Sequence, residues 1–82
     1  MEAIDMEAVE LNSQLLEVAY RIREMREISG FTREEMAKKT DVTVAEYAAY
    51  ETGRSDFPFT FIHKCALAFG IGITDLLEGD SA

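Results

Sequence analysis

Residues 32–53 read TREEMAKKTDVTVAEYAAYETG, and the fold is decided within them. Thr32 is followed three residues on by Glu35, and Thr43 three residues on by Glu46. A hydroxyl that accepts from the third helical N–H, answered by a carboxylate that reaches back to the cap N–H, is the signature of a helix start. The stretch therefore predicts two short helices. The first runs from Thr32 to about Lys39, with Met36 and Ala37 inward and Lys38 and Lys39 in the last turn, where cations suit the helix dipole. The second is capped by Thr43, turns Tyr47, Tyr50 and Glu51 to its inner face, and ends at Gly53. The connection between them, Thr40-Asp41-Val42, is tight.

Upstream, Leu15, Val18, Ala19, Ile22, Met25, Arg26 and Ser29 follow the series of one helical face, which predicts a helix opening at an Asn12 or Ser13 cap and closing at Gly30. Downstream, Arg54 to Pro58 reads as a loop. Phe57, Phe59 and Phe61 alternate as in a strand, but Pro58 and the series Ile62, Cys65, Ala66, Phe69 favour a fourth helix. Leu67 and Ala68 make that helix apolar nearly all round, which predicts a central position. A short fifth helix carries Ile71, Ile73, Leu76 and Leu77 and is expected to be capped by Thr74. Residues 1–12, with Ile4, Ala8, Val9 and Leu11 among acids, read as an acidic N-terminal segment, either a short helix or a frayed terminus. Residues 13–78 form the domain, and 79–82 read as the start of a linker. The expectation is an all-α, five-helix fold.

At 82 residues the chain holds one domain, whose small core leaves room for stabilisation by a partner. The formal charge is −8. Residues 1–14 hold four acids and no base, residues 71–82 three acids and no base, while residues 15–70 hold eight bases against nine acids. Cys65 is the only cysteine, so no disulfide framework or metal-ligand spacing exists, and no metal or cofactor is expected. The lone thiol fits a reducing compartment. No basic leader and no long apolar run appear, so the expectation is a cytoplasmic protein with no membrane partner. His63 has no nucleophile or orienting group beside it and reads as a surface or half-buried helix residue. Cys65 on an apolar face reads as core, and an enzyme is not expected.

Two short helices joined by a three- or four-residue turn have the geometry of a helix-turn-helix. The blocks Arg21-Ile22-Arg23-Glu24-Met25-Arg26, Phe31-Thr32-Arg33-Glu34-Glu35-Met36-Ala37, Val42-Thr43 and Tyr50-Glu51-Thr52-Gly53 together resemble the Cro/repressor-like (XRE) domain over about residues 15–78. The resemblance implies a lambda-repressor-like DNA-binding domain, whose second helix braces on the phosphate backbone and whose third enters the major groove. Ser55-Asp56-Phe57-Pro58 and Thr74-Asp75-Leu76-Leu77-Glu78-Gly79 look like members that carry a cupin-type sensor domain after this one. Any effector is then bound by a domain outside this chain.

By the same resemblance, Thr32 opens the bracing helix and Arg33 takes the position where the family usually has a contacting glutamine. Thr43, Val44, Ala45 and Ala49, with Glu46 beside them, take the base-facing positions. Thr52, Arg54 and Ser55 take the backbone-contacting stretch. The chain departs from the pattern where Gln, Arg, Asn or Ser is usual. Valine and alanine touch a thymine methyl but donate no hydrogen bond, and Glu46 can accept only from an amino group such as that of cytosine. Specificity then rests on Arg33, methyl contacts and DNA shape.

Arg26 and Glu51 break the apolar stripes of their helices. The resemblance implies a buried ion pair between them that fixes the third helix. Lys38, Lys39 and Lys64 read as solvated surface charges, Arg54 as surface or phosphate contact alike, and Arg21 and Arg23 as partners of Glu17, Glu24 or Glu27. The functional expectation is a transcriptional regulator that binds double-stranded DNA as a homodimer. The alternative is a helix-turn-helix protein-interaction adaptor with little or no DNA binding, which the acidic tails and the apolar third helix motivate.

Overall fold

The computed structural model describes the backbone of residues 6–78 and the side chains of residues 13–78. The expected linker at 79–82 and the first five residues of the acidic segment lie outside the described residues. Five helices follow in order: α1 (Met6–Ser29), α2 (Arg33–Thr40), α3 (Val44–Glu51), α4 (Phe59–Phe69) and α5 (Ile73–Leu77). The described residues contain no strand, and the fold is all-α.

α1 already includes Met6, so Asn12 and Ser13 lie inside a helix and not at its start. Residues 6–14 contain no Gly or Pro and are rich in Met, Glu, Ala, Leu and Gln, whose helix propensity carries the helix through the two cap-type residues. α2 and α3 start where the two capping boxes put them. Thr32 Oγ1 accepts from the Glu35 N–H at 3.0 Å while Glu35 Oε1 accepts from the Thr32 N–H at 2.8 Å. Thr43 and Glu46 repeat the exchange at 3.0 and 2.9 Å. Asp41 closes α2 in the left-handed region at φ 62°, where the short polar side chain of Asp is tolerated. α5 is entered through Gly72, whose N–H donates to Asp75 Oδ2 at 3.0 Å, and the expected cap Thr74 lies within the helix. The carboxylate three residues beyond Gly72 reaches the orphan N–H, which the Thr74 hydroxyl, already in the first turn, does not.

The core gathers Val18, Ala19 and Ile22 of α1, Met36 and Ala37 of α2, Tyr47 of α3, Phe57, four residues of α4 and Leu76 of α5. Its centre is an aromatic group. Tyr50 and Phe61 meet edge-on at 4.6 Å between centroids, Phe57 and Phe61 at 5.5 Å, and Tyr47 lies 5.9 Å from Phe61. Such pairs add about 0.5–1.5 kcal/mol beyond their buried area. The phenylalanines divide: Phe57 and Phe61 fill the core, whereas Phe59 is 61% exposed. α4 is therefore not central all round. Only the face of Phe61, Ile62, Cys65 and Ala66 is buried, and Leu67 on the far side is 66% exposed. The neighbours α1, α2 and α5 reach one side of it.

Two close approaches lock the ends. Arg21 of α1 donates to the carbonyls of Leu76 and Leu77 at 3.1 and 3.0 Å, and so satisfies the C-terminus of α5. Gly53 follows α3 at φ 75°, and a methyl group there would overlap the Leu16 side chain of α1. The end of α3 is seated on α1, and any other residue at 53 would have to take the left-handed φ and displace the Leu16 side chain.

Candidate nucleic-acid interface

α2 and α3 meet through the turn at residues 41–43, with the first turn of α3 facing outward. Val44 is 43% exposed; Thr43, Ala45 and Glu46 are exposed; Ala49 is half-buried. On the opposite side Tyr47 and Glu51 are sealed in the interior. A helix of eight residues thus has one face for the core and one that is free. The free face is apolar apart from Thr43 and Glu46.

The back of α3 is fixed by charge. Arg26 holds the Glu51 carboxylate with two parallel hydrogen bonds, Nε to Oε2 at 2.9 Å and one terminal nitrogen to Oε1 at 3.0 Å, and spends the other on the Phe31 carbonyl at 3.0 Å. The Glu51 side chain is fully buried. This is the expected pair, and it ties α1 to α3. The sequence does not disclose a third member: Arg33 also approaches Glu51 Oε1 at 3.5 Å while its side chain stays 41% exposed. Two guanidinium groups face one carboxylate at the start of α2, whose first turn also carries Glu34 and Glu35. Burial alone would raise the Glu51 carboxyl. The hydrogen bonds of Arg26, the nearby Tyr47 hydroxyl and the charges of Arg26 and Arg33 outweigh it and hold the group below the usual carboxylate range. The bond to Glu51 in turn raises Arg26. The Tyr47 hydroxyl has no partner in hydrogen-bond geometry, and burial next to the Glu51 charge keeps it protonated.

Glu46 is lowered too, by the hydrogen bonds from the backbone and side chain of Thr43. Both depressed carboxylates carry the same sign for stability. Their contribution is complete above the unfolded value of about 4.3 and is lost as the pH falls through the lower folded value. The melting temperature is expected to hold level from about pH 7 to near that value and then to drop steeply. Thermal scans across that range check this, and a melting temperature flat into strong acid contradicts it.

The remaining expected contacts are mixed. The Thr52 hydroxyl is turned back on its own helix, donating to the Ala48 carbonyl at 2.8 Å, so its proton is not free for a phosphate. Arg54 and Ser55 are exposed in the loop after α3. Among the described residues Lys38 and Arg54 have no ion-pair partner, whereas Arg23 pairs with Glu27 at 3.5 Å, Arg21 with Glu17 at 3.9 Å and Lys64 with Asp41 at 3.9 Å. Lys39 lies 4.7 Å over the Phe31 ring. Away from this face, His63 is exposed. Cys65 is buried, and its thiol is pushed up to about 12 by burial and by the Glu51 charge. A thiol so placed is not a nucleophile at neutral pH.

A model of the helix-turn-helix domain family matches residues 19–81, more than half of the chain and all of α2 and α3. The chain belongs to the helix-turn-helix domain family. Comparison with curated proteins and with solved structures gave no match. The family is one of DNA-binding domains, and DNA is the partner it implies for the helix-turn-helix described above. No described helix is long and apolar enough to cross a membrane.

Proposed function

We propose that this helix-turn-helix protein is a cytoplasmic, sequence-specific transcriptional regulator that binds double-stranded DNA as a homodimer, with α3 in the major groove. One observation carries the reading. The base-facing positions Val44, Ala45 and Glu46 are open to solvent, while Tyr47 and Glu51 one turn on anchor the same helix to the core. A short helix held from behind and bare in front is what the major groove admits. Arg33 at the start of α2 and Arg54, which has no ion-pair partner among the described residues, supply the phosphate contacts, together with the exposed Thr32 and Ser55. The acidic surroundings favour two modules over one. Each module offers few cations, and the joint grip of a dimer on two half-sites supplies affinity that a single module lacks. Any effector is bound outside these residues, by a sensor domain of the cupin type that the sequence resemblance implies.

Binding to random duplex DNA, followed as salt is raised, tests the reading. Each phosphate contact contributes about 0.9 to the logarithmic salt slope. The expected result is measurable binding at low salt that falls steeply. No binding at low salt overturns the reading and favours the protein-interaction adaptor, in which the same apolar face of α3 meets a protein.

A further inference from the structure

On the DNA-binding reading, the chemistry of the free face of α3 restricts which base edges it accepts. Its side chains divide sharply. Val44, Ala45 and Ala49 present only hydrocarbon, and Glu46 presents only acceptors. Glu46 is not a loose surface acid. Oε1 accepts from the Thr43 N–H at 2.9 Å, which fixes the side chain, and the same bond keeps the carboxyl ionised. No described residue donates to Oε2, so one charged acceptor is held at the first turn of α3. Ala49 lies one turn on from both Ala45 and Glu46, a spacing of about 5–6 Å between Cβ atoms. The acceptor and the methyl surface therefore fall within reach of one base or of two neighbouring bases.

In the major groove, guanine offers two acceptors, adenine an acceptor and an amino donor, thymine an acceptor and a C5-methyl, and cytosine an amino donor alone. A fixed carboxylate repels acceptors and takes an amino group. A hydrocarbon surface gains from methyl groups. We propose that α3 reads a cytosine amino group through Glu46 while Val44, Ala45 and Ala49 contact a C5-methyl group beside it, supplied by thymine or by 5-methylcytosine. Cytosine methylated at C5 is the one base that carries the donor and the methyl on a single edge with no acceptor. Where the methyl belongs to cytosine, the domain responds to the methylation state of its site.

The test uses the full chain and a duplex selected from a random pool, resynthesised with 5-methylcytosine for cytosine, with uracil for thymine, or with neither. Burial of one methyl group corresponds to about fourfold in affinity. Where the methyl comes from thymine, uracil weakens binding by about that factor; where it comes from 5-methylcytosine, methylation strengthens binding by about that factor. Either response supports the proposal and names the source. The companion variant is Glu46→Gln, which keeps the capping box because glutamine serves in it equally. Glutamine pairs with adenine, so the selected site is expected to change from cytosine to adenine, with at least about fivefold discrimination. Binding that responds to neither base change, or a Glu46→Gln protein that selects unchanged sites, overturns the proposal and leaves the DNA-binding reading standing. Absence of binding to every duplex at low salt removes both.

Discussion

Glu51→Ala is expected to lower the stability of this domain by about 3–5 kcal/mol, the loss associated with breaking one side of a buried ion pair. The mechanism is the charge left behind. Arg26 is only 14% exposed and makes two of its three side-chain hydrogen bonds to Glu51. Without the carboxylate a guanidinium stays in the interior with one carbonyl for company. A chain of this length is typically stable by about 4–12 kcal/mol, so the loss consumes a large part of the total. The melting temperature is expected to fall by more than about 12 °C. Arg33→Ala is the control: its contact with Glu51 is 3.5 Å long and its side chain half in water, so the change is expected within about 1 kcal/mol. Thermal and urea unfolding of the two variants decide the point. An unchanged melting temperature for Glu51→Ala removes the ion pair as the anchor of α3.

Val44→Glu separates folding from recognition. Val44 is the first residue of α3 and 43% exposed, so an acid there loses little packing and sits where the helix dipole favours a negative charge by about 0.3–1 kcal/mol. The fold is expected to melt within about 1 kcal/mol of the parent. DNA binding is expected to weaken at least about a hundredfold, since like charges brought together across an interface cost several kcal/mol. Circular dichroism and fluorescence anisotropy on the same preparation check both halves. A variant that folds and binds as the parent does takes α3 out of the groove.

The sequence discloses this fold wherever the determinants are local. The boxes at Thr32/Glu35 and Thr43/Glu46 place two helix starts because their partners lie three residues apart in the chain. The Arg26–Glu51 pair is legible by a different route, as two charges on otherwise apolar stripes whose pairing the family resemblance implies. What escapes reading is decided by distant neighbours. Arg21 looks like an exposed charge on α1 until α5 folds back and presents the carbonyls of Leu76 and Leu77. Leu67 looks like core until the other helices settle on one side of α4. Arg33 shows its second engagement only once α2 and α3 cross. At the candidate interface, residue types carry the chemistry of recognition, but whether Val44 and Ala45 face water depends on packing alone.

The seat of Gly53 against Leu16 bears on how such a domain adapts to different targets. With the Arg26–Glu51 bridge two residues earlier, it holds the trailing end of α3 against α1. On the DNA-binding reading, part of the adjustment between protein and site falls to the double helix. On that reading, among sites with the same contacted bases, those whose flanking steps bend easily are expected to be bound more tightly than stiff tracts.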